Sequence, residues 1–106
     1  MNLMAQVRRV TTSEEVLKYL YEIITKTRKD NRLLVGASPR AAEHLLYASK
    51  ALAFLRGRDY VIPDDIKEMA PYVLAHRLIV RADYEIEGVK SEDVIREILD
   101  EVEVPV

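Results

Sequence analysis

Residues 36–57 read GASPRAAEHLLYASKALAFLRG, and this stretch decides the fold. Ser38 before Pro39 is a pairing that opens a helix. The serine oxygen can accept from a first-turn N–H, and proline, which has none to offer, fits the first helical position. From Pro39 to Arg56 the pattern predicts one unbroken helix of roughly 27 Å. Ala41, Ala42, Leu45, Ala48, Leu52, Ala53 and Leu55 leave it little polar surface, so it is expected at the centre of the molecule, packed on two sides. Leu45 and Leu52, two turns apart, are both expected to face the core. Gly57 supplies the left-handed residue that closes a helix C-terminus.

Toward the N-terminus, Leu33-Leu34-Val35 is a short apolar run, either a loop anchored in the core or one very short strand. Before it, Val16, Leu17, Leu20, Ile23, Ile24 and Thr27 recur at helical spacing. Thr11 and Thr12 precede Glu14 and Glu15 at the capping-box interval, so a helix is expected to start there. Asp30-Asn31 ends it, with Arg28, Lys29 and Arg32 suiting its C-terminal dipole. Residues 1–10 have no clear period and read as an extended lead-in.

Toward the C-terminus, Tyr60-Val61-Ile62 favours a strand-like segment before Pro63. Asp64 and Asp65 follow that proline, where a helix N-terminus prefers acid. Ile66, Met69 and Ala70 form one face. Pro71 predicts a break or kink, with a further short helix to about His76 or Leu78. Residues 81–89 read as a polar loop. Ser91 is expected to cap a last helix with Val94, Ile95, Ile98, Leu99 and Val102 on one face. The sum is an all-α chain, a small bundle of about four main helices, with very short strand-like segments near 33–35 and 60–62.

Composition limits what such a bundle can do. The chain has 106 residues, 49% of them apolar and 32% charged, the balance of one folded domain. A formal charge of -2 gives no electrostatic case for nucleic acid as the main ligand. With no cysteine, disulfides and thiolate metal sites are excluded. No apolar run approaches the length of a membrane span, and the cytoplasm is the expected compartment. Gly36, Gly57 and Gly88 stand alone, none followed by Lys-Ser or Lys-Thr, so no P-loop is present. His44 and His76 lack ligand-spaced neighbours and read as ordinary helix histidines; no metal site is expected. A self-sufficient enzyme is therefore not expected.

Arg40 carries the informative conflict. A helix N-terminus is partly positive, so a cation in the first turn is locally unfavourable. The same end attracts anions, and a guanidinium fork bonds phosphate bidentately. Arg40 therefore either contacts an anion, or lies along the surface or pairs with Glu43.

Five segments together carry a family resemblance: Thr27-Arg28; Gly36-Ala37-Ser38-Pro39-Arg40-Ala41; Ala51-Leu52-Ala53 with Arg56-Gly57-Arg58-Asp59-Tyr60-Val61; Pro63-Asp64-Asp65-Ile66; and Leu74-Ala75-His76-Arg77. In order and spacing the chain resembles the C-terminal lid domain of MoxR-type AAA+ ATPases. The resemblance implies that residues 1–10 lead in from an ATPase core and that residues 11–106 form the lid. It implies that Arg40 is the sensor 2 arginine, a catalytic residue reaching the γ-phosphate of ATP held by the core, with Ser38 and Pro39 beside it on the phosphate side. It implies ATP and Mg as cofactors of the full-length protein, neither bound tightly by this chain alone. The implied partners are the core, neighbouring subunits of a ring and a protein with a von Willebrand A domain. The implied role is a lid that moves with nucleotide state in a chaperone-like remodelling machine.

One position departs from the pattern. The family usually carries Thr or Ser where Ile62 stands, so the usual cap of the Pro63 helix is missing. Arg58 and Asp59 are expected to lock the two central helices by a salt bridge and a turn. Arg77 is left between capping carbonyls and facing a neighbouring subunit. Two other readings compete: a histone-fold-like or adaptor module that only binds proteins, and a small DNA-binding helical domain, against which the acidic balance argues.

Overall fold

The computed structural model describes residues 3–105, and among these it holds six α-helices and one two-stranded sheet. In chain order these are α1 (Leu3–Arg8), α2 (Glu14–Lys29), β1 (Leu33–Val35), α3 (Pro39–Leu55), α4 (Pro63–Leu74), β2 (Ile79–Val80), α5 (Ala82–Ile86) and α6 (Ser91–Glu101). A 3₁₀ turn, Ala75–Arg77, continues α4. The helices α2, α3, α4 and α6 are the four main helices the periodicity predicts. None of the described helices is long and apolar enough to cross a membrane.

The core follows from the apolar faces. Val16, Tyr19, Leu20, Ile23 and Ile24 of α2 meet Ile66, Ala70 and Leu74 of α4 and Val94, Ile95, Ile98 and Leu99 of α6. Helix α3 presents mainly small buried residues, Ala41, Ala42, Ser49 and Ala53, around a fully buried Leu45. Small side chains let α4 approach closely, and α3–α4 is the most extensive helix pair. The expected two-sided packing holds, since α1 and α2 also contact α3. Leu52 is only half-buried, however, and Leu55 is 77% exposed. The position facing the core after Leu45 is Ser49, whose hydroxyl donates to the Leu45 carbonyl at 2.8 Å. The stripe that faces the core is thus narrower than the apolar run.

The end of α3 forms a Schellman turn. Gly57 has φ +78°, its N–H donates to Phe54 C=O, and the Arg58 N–H donates to Ala53 C=O at 2.9 Å.

Several local expectations are corrected. The described part of the lead-in is helical: Leu3–Arg8 packs on α3 and buries Val7. Met1 and Asn2 lie outside the described residues. The cap of α2 is Ser13, whose Oγ accepts from Val16 N–H at 3.2 Å. Thr11 is unavailable because it bridges to Tyr60, with its N–H on Asp59 C=O at 2.9 Å and its C=O accepting from Val61 N–H. That bridge is all that forms of the strand-like segment at 60–62. By contrast, 33–35 is a strand, paired antiparallel with Ile79–Val80.

Pro71 does not break α4, which runs on to Leu74. Proline removes one N–H donor, but buried Ala70 and Leu74 on either side anchor the rod to the core. The expected loop 81–89 contains α5, which follows the short strand Ile79–Val80. Ser91 is the first residue of α6 rather than its cap. Lys90 holds the cap position, its N–H bonded to Asp93 Oδ2 at 3.1 Å, while Ser91 Oγ donates across to Ala75 C=O at 2.9 Å.

Candidate functional site

The candidate site is the N-terminal end of α3. Ser38 is its cap: Oγ accepts from Ala41 N–H at 3.2 Å and the Ser38 carbonyl accepts from Ala42 N–H at 3.2 Å. Pro39 occupies the first helical position, as the sequence predicts. Most of the free donors expected at this end are therefore committed, and the Arg40 N–H is the first-turn donor left over among the described residues. Ser38, Pro39 and Arg40 are all exposed, and the first turn holds no acidic residue. Arg40 makes no ion pair with Glu43 or with any other described carboxylate.

What holds this end in place lies one element back. Thr27, in the last turn of α2, is 1% exposed. Its Oγ1 donates to Ile24 C=O at 2.6 Å and accepts from Ala37 N–H at 3.0 Å. The next residue, Arg28, donates from Nε to Ala37 C=O at 2.8 Å. Both polar backbone groups of Ala37, itself fully buried, are thus tied to successive residues of α2. Gly36 makes the approach possible: a Cβ there would lie 2.7 Å from Arg28 Cα and 2.8 Å from the Thr27 carbonyl oxygen. Sequence reading places Thr27 on the apolar face of α2 and Arg28 at its C-terminal dipole but misses their shared target. The available signal is a threonine on an otherwise apolar stripe.

The other arginines of the recognised segments do different work. Arg58 forks onto Asp65, with Nη1–Oδ2 and Nη2–Oδ1 both 2.7 Å. The Asp65 side chain is fully buried and also accepts from Ile62 N–H at 2.9 Å. Asp65 thereby supplies one half of a capping box at a position where Ile62 has no oxygen to supply the other. Burial pushes the Asp65 carboxyl up, but the Arg58 fork, the Ile62 N–H and the Arg56 charge together outweigh it and hold the carboxyl below its usual range. The Asp65 fork raises Arg58 in turn. The expected lock between α3 and α4 is real, and Asp65 rather than Asp59 is its acid; exposed Asp59 contributes its carbonyl to the Thr11 bridge.

Arg32 forks onto Asp30, at 2.8 Å for Nη2–Oδ2, and also reaches Glu97 of α6. The Arg32 hydrogen bonds hold Asp30 low against the burial that pushes it up. Arg77, exposed at the end of the 3₁₀ turn, reaches His44 Nδ1 on α3 with its Nη2. Arg77 thus reaches another helix rather than the carbonyls of its own. No described group of three or more His, Cys, Asp or Glu side chains converges to hold a metal.

With the geometry in view, the comparisons with known proteins agree. The AAA lid domain family model matches residues 25–98. The chain is 40% identical over 104 residues to the uncharacterized protein YeaC of Bacillus subtilis, covering 98% of this chain and 32% of that protein. It is 37% identical over 99 residues to the chaperone MoxR1 of Mycobacterium tuberculosis, covering 85% of this chain and 26% of the relative. A crystal structure of a provisionally named ATPase from Cytophaga hutchinsonii superposes with a TM-score of 0.90 at 38% identity, over 96% of this chain and 34% of that one. This chain spans about a third or less of the length of each of these relatives.

Proposed function

The chain belongs to the AAA lid domain family and is of MoxR type, and from that premise we propose that it lends Arg40 as sensor 2 to ATP held by an AAA+ core. The carrying observation is an exposed guanidinium at the N-terminal end of α3, without a carboxylate partner among the described residues, at an end whose dipole disfavours it. A phosphate resolves that conflict, because it offers the fork a bidentate partner and offers the dipole a negative charge. The donor set suits phosphate oxygens. It holds no carboxylate for Mg, which falls to the core.

In this reading Ser38 and Pro39 shape the phosphate side and Arg40 makes the contact. One guanidinium and one free N–H are too few contacts for tight binding, so the chain alone neither hydrolyses ATP nor holds it with micromolar affinity. Attraction between Arg40 and the γ-phosphate gives ATP a higher affinity for the closed arrangement of lid and core than ADP has, and a differential affinity of this kind is what moves a lid. The full-length protein is then a cytoplasmic, chaperone-like ring of such subunits, working with a von Willebrand A domain partner.

The test is the lid-to-core distance in the intact ATPase, followed by a fluorophore pair as ATP replaces ADP. The distance changes in the wild type, changes little in Arg40→Ala and is restored in part by Arg40→Lys, since an ammonium lacks the fork. An equal change in wild type and Arg40→Ala removes the sensor role.

A further inference from the structure

We infer that Thr27 and Arg28 are positioning residues for Arg40, acting through Ala37. The inference rests on Arg40 being the phosphate-contacting residue. Three features converge on residues 36–37. The Thr27 hydroxyl takes the Ala37 N–H at 3.0 Å, the Arg28 Nε–H takes the Ala37 carbonyl at 2.8 Å, and the missing Cβ of Gly36 lets the segment lie directly on the α2 backbone.

Thr27 is buried on a face whose other members are Val16, Tyr19, Leu20, Ile23 and Ile24. A valine would fill the same space but would leave the buried Ala37 N–H without an acceptor, so it is the hydroxyl that ties residue 37 to α2. Arg28 is exposed and could remain in water, yet its Nε is spent on a carbonyl. Both groups fix one peptide residue that lies just before the helix cap. From there to Arg40 the chain has little freedom. Ser38 is held by its cap bonds, and Pro39 has φ restricted by its ring. The latch therefore sets where the Arg40 side chain begins, and with it the reach of the guanidinium.

Displacing a reacting group by about an ångström costs on the order of a hundredfold in rate. Loosening one of the two tethers should cost less, about tenfold in kcat, with KM for ATP little changed.

The experiment is a double-mutant cycle in the intact ATPase, measuring kcat and KM for Thr27→Val, Thr27→Ser, Arg28→Met and Arg40→Ala, singly and combined. Thr27→Val and Arg28→Met each lower kcat about tenfold, Thr27→Ser restores most of the loss, and neither adds more than about twofold to Arg40→Ala. Losses that multiply with Arg40→Ala overturn the inference, because the latch residues would then act on their own account. Wild-type turnover in both Thr27→Val and Arg28→Met, beside a slow Arg40→Ala, overturns the latch while leaving the phosphate contact standing. Wild-type turnover in Arg40→Ala overturns the phosphate contact itself. Should Thr27→Val fail to fold by circular dichroism, Arg28→Met, altered at an exposed side chain, carries the cycle alone.

Discussion

The two ends of α3 each present an arginine, and the two are used in opposite ways. Past the C-terminal end, Arg58 has a side chain 19% exposed and forks onto a fully buried Asp65. There the dipole favours a cation and a carboxylate neutralises it, so charge, burial and helix polarity agree. At the N-terminal end, Arg40 is exposed, faces an unfavourable dipole and meets no carboxylate among the described residues. Both stand in segments that carry the family resemblance. The contrast separates an arginine that serves the fold from one available to a ligand, a distinction residue type cannot make. A guanidinium that gains nothing from its own domain is the one to test on a partner.

The comparison breaks most visibly at Arg58. Arg58→Ala leaves Asp65 buried without its main partner, and such truncations cost about 3–5 kcal/mol. Urea unfolding should show that loss; a change below about 1 kcal/mol would mean the fork is not what joins α3 to α4. The same pair predicts an acid limb. The Asp65 carboxyl is depressed in the folded chain, so its contribution is fully present above the unfolded value of 3.8 and fades as pH falls through the lower folded value. Asp65→Asn should therefore be less stable than wild type at neutral pH, with the gap closing as the medium is acidified below about pH 4. A gap that stays constant would contradict the ionic assignment.

The N-terminal end gives smaller numbers. Gly36→Ala forces a Cβ against the α2 backbone and should cost about 1–3 kcal/mol, read from the same unfolding curve. A neutral outcome would show that residues 36–37 are not seated as closely as described. The smallest effect belongs to Arg40. Removing a cation from the first turn should leave stability unchanged or raise it by no more than about 1 kcal/mol. A clear loss would mean that Arg40 supports the lid, and the contrast with Arg58 would disappear.

Much of this was legible in the residues. Apolar patterning located the four main helices, three by a single buried face and α3 by its scarcity of polar residues, and Ser38-Pro39 and Gly57 marked the ends of α3 through backbone demands that few residues meet. What escaped was set by tertiary partners. Thr11 looked like a cap but was taken by Tyr60, so Ser13 capped α2. Pro71 looked like a break, yet packing of Ala70 and Leu74 carried the helix through it. The strand pair 33–35 with 79–80 joins segments far apart in sequence, which local pattern cannot register. At the site, the conflict of Arg40 with the dipole leaves two readings open in the sequence, and the family resemblance is what singles Arg40 out. The Thr27 and Arg28 tethers were hidden because each residue also fits a plain role on α2.

The most direct measurement is steady-state ATP turnover by the intact ATPase carrying Arg40→Ala, beside a thermal melt of the same variant. With Arg40 as sensor 2, turnover falls on the order of a hundredfold while the melting temperature of the lid stays at or slightly above that of the wild type. Wild-type turnover from a folded Arg40→Ala lid would contradict the account.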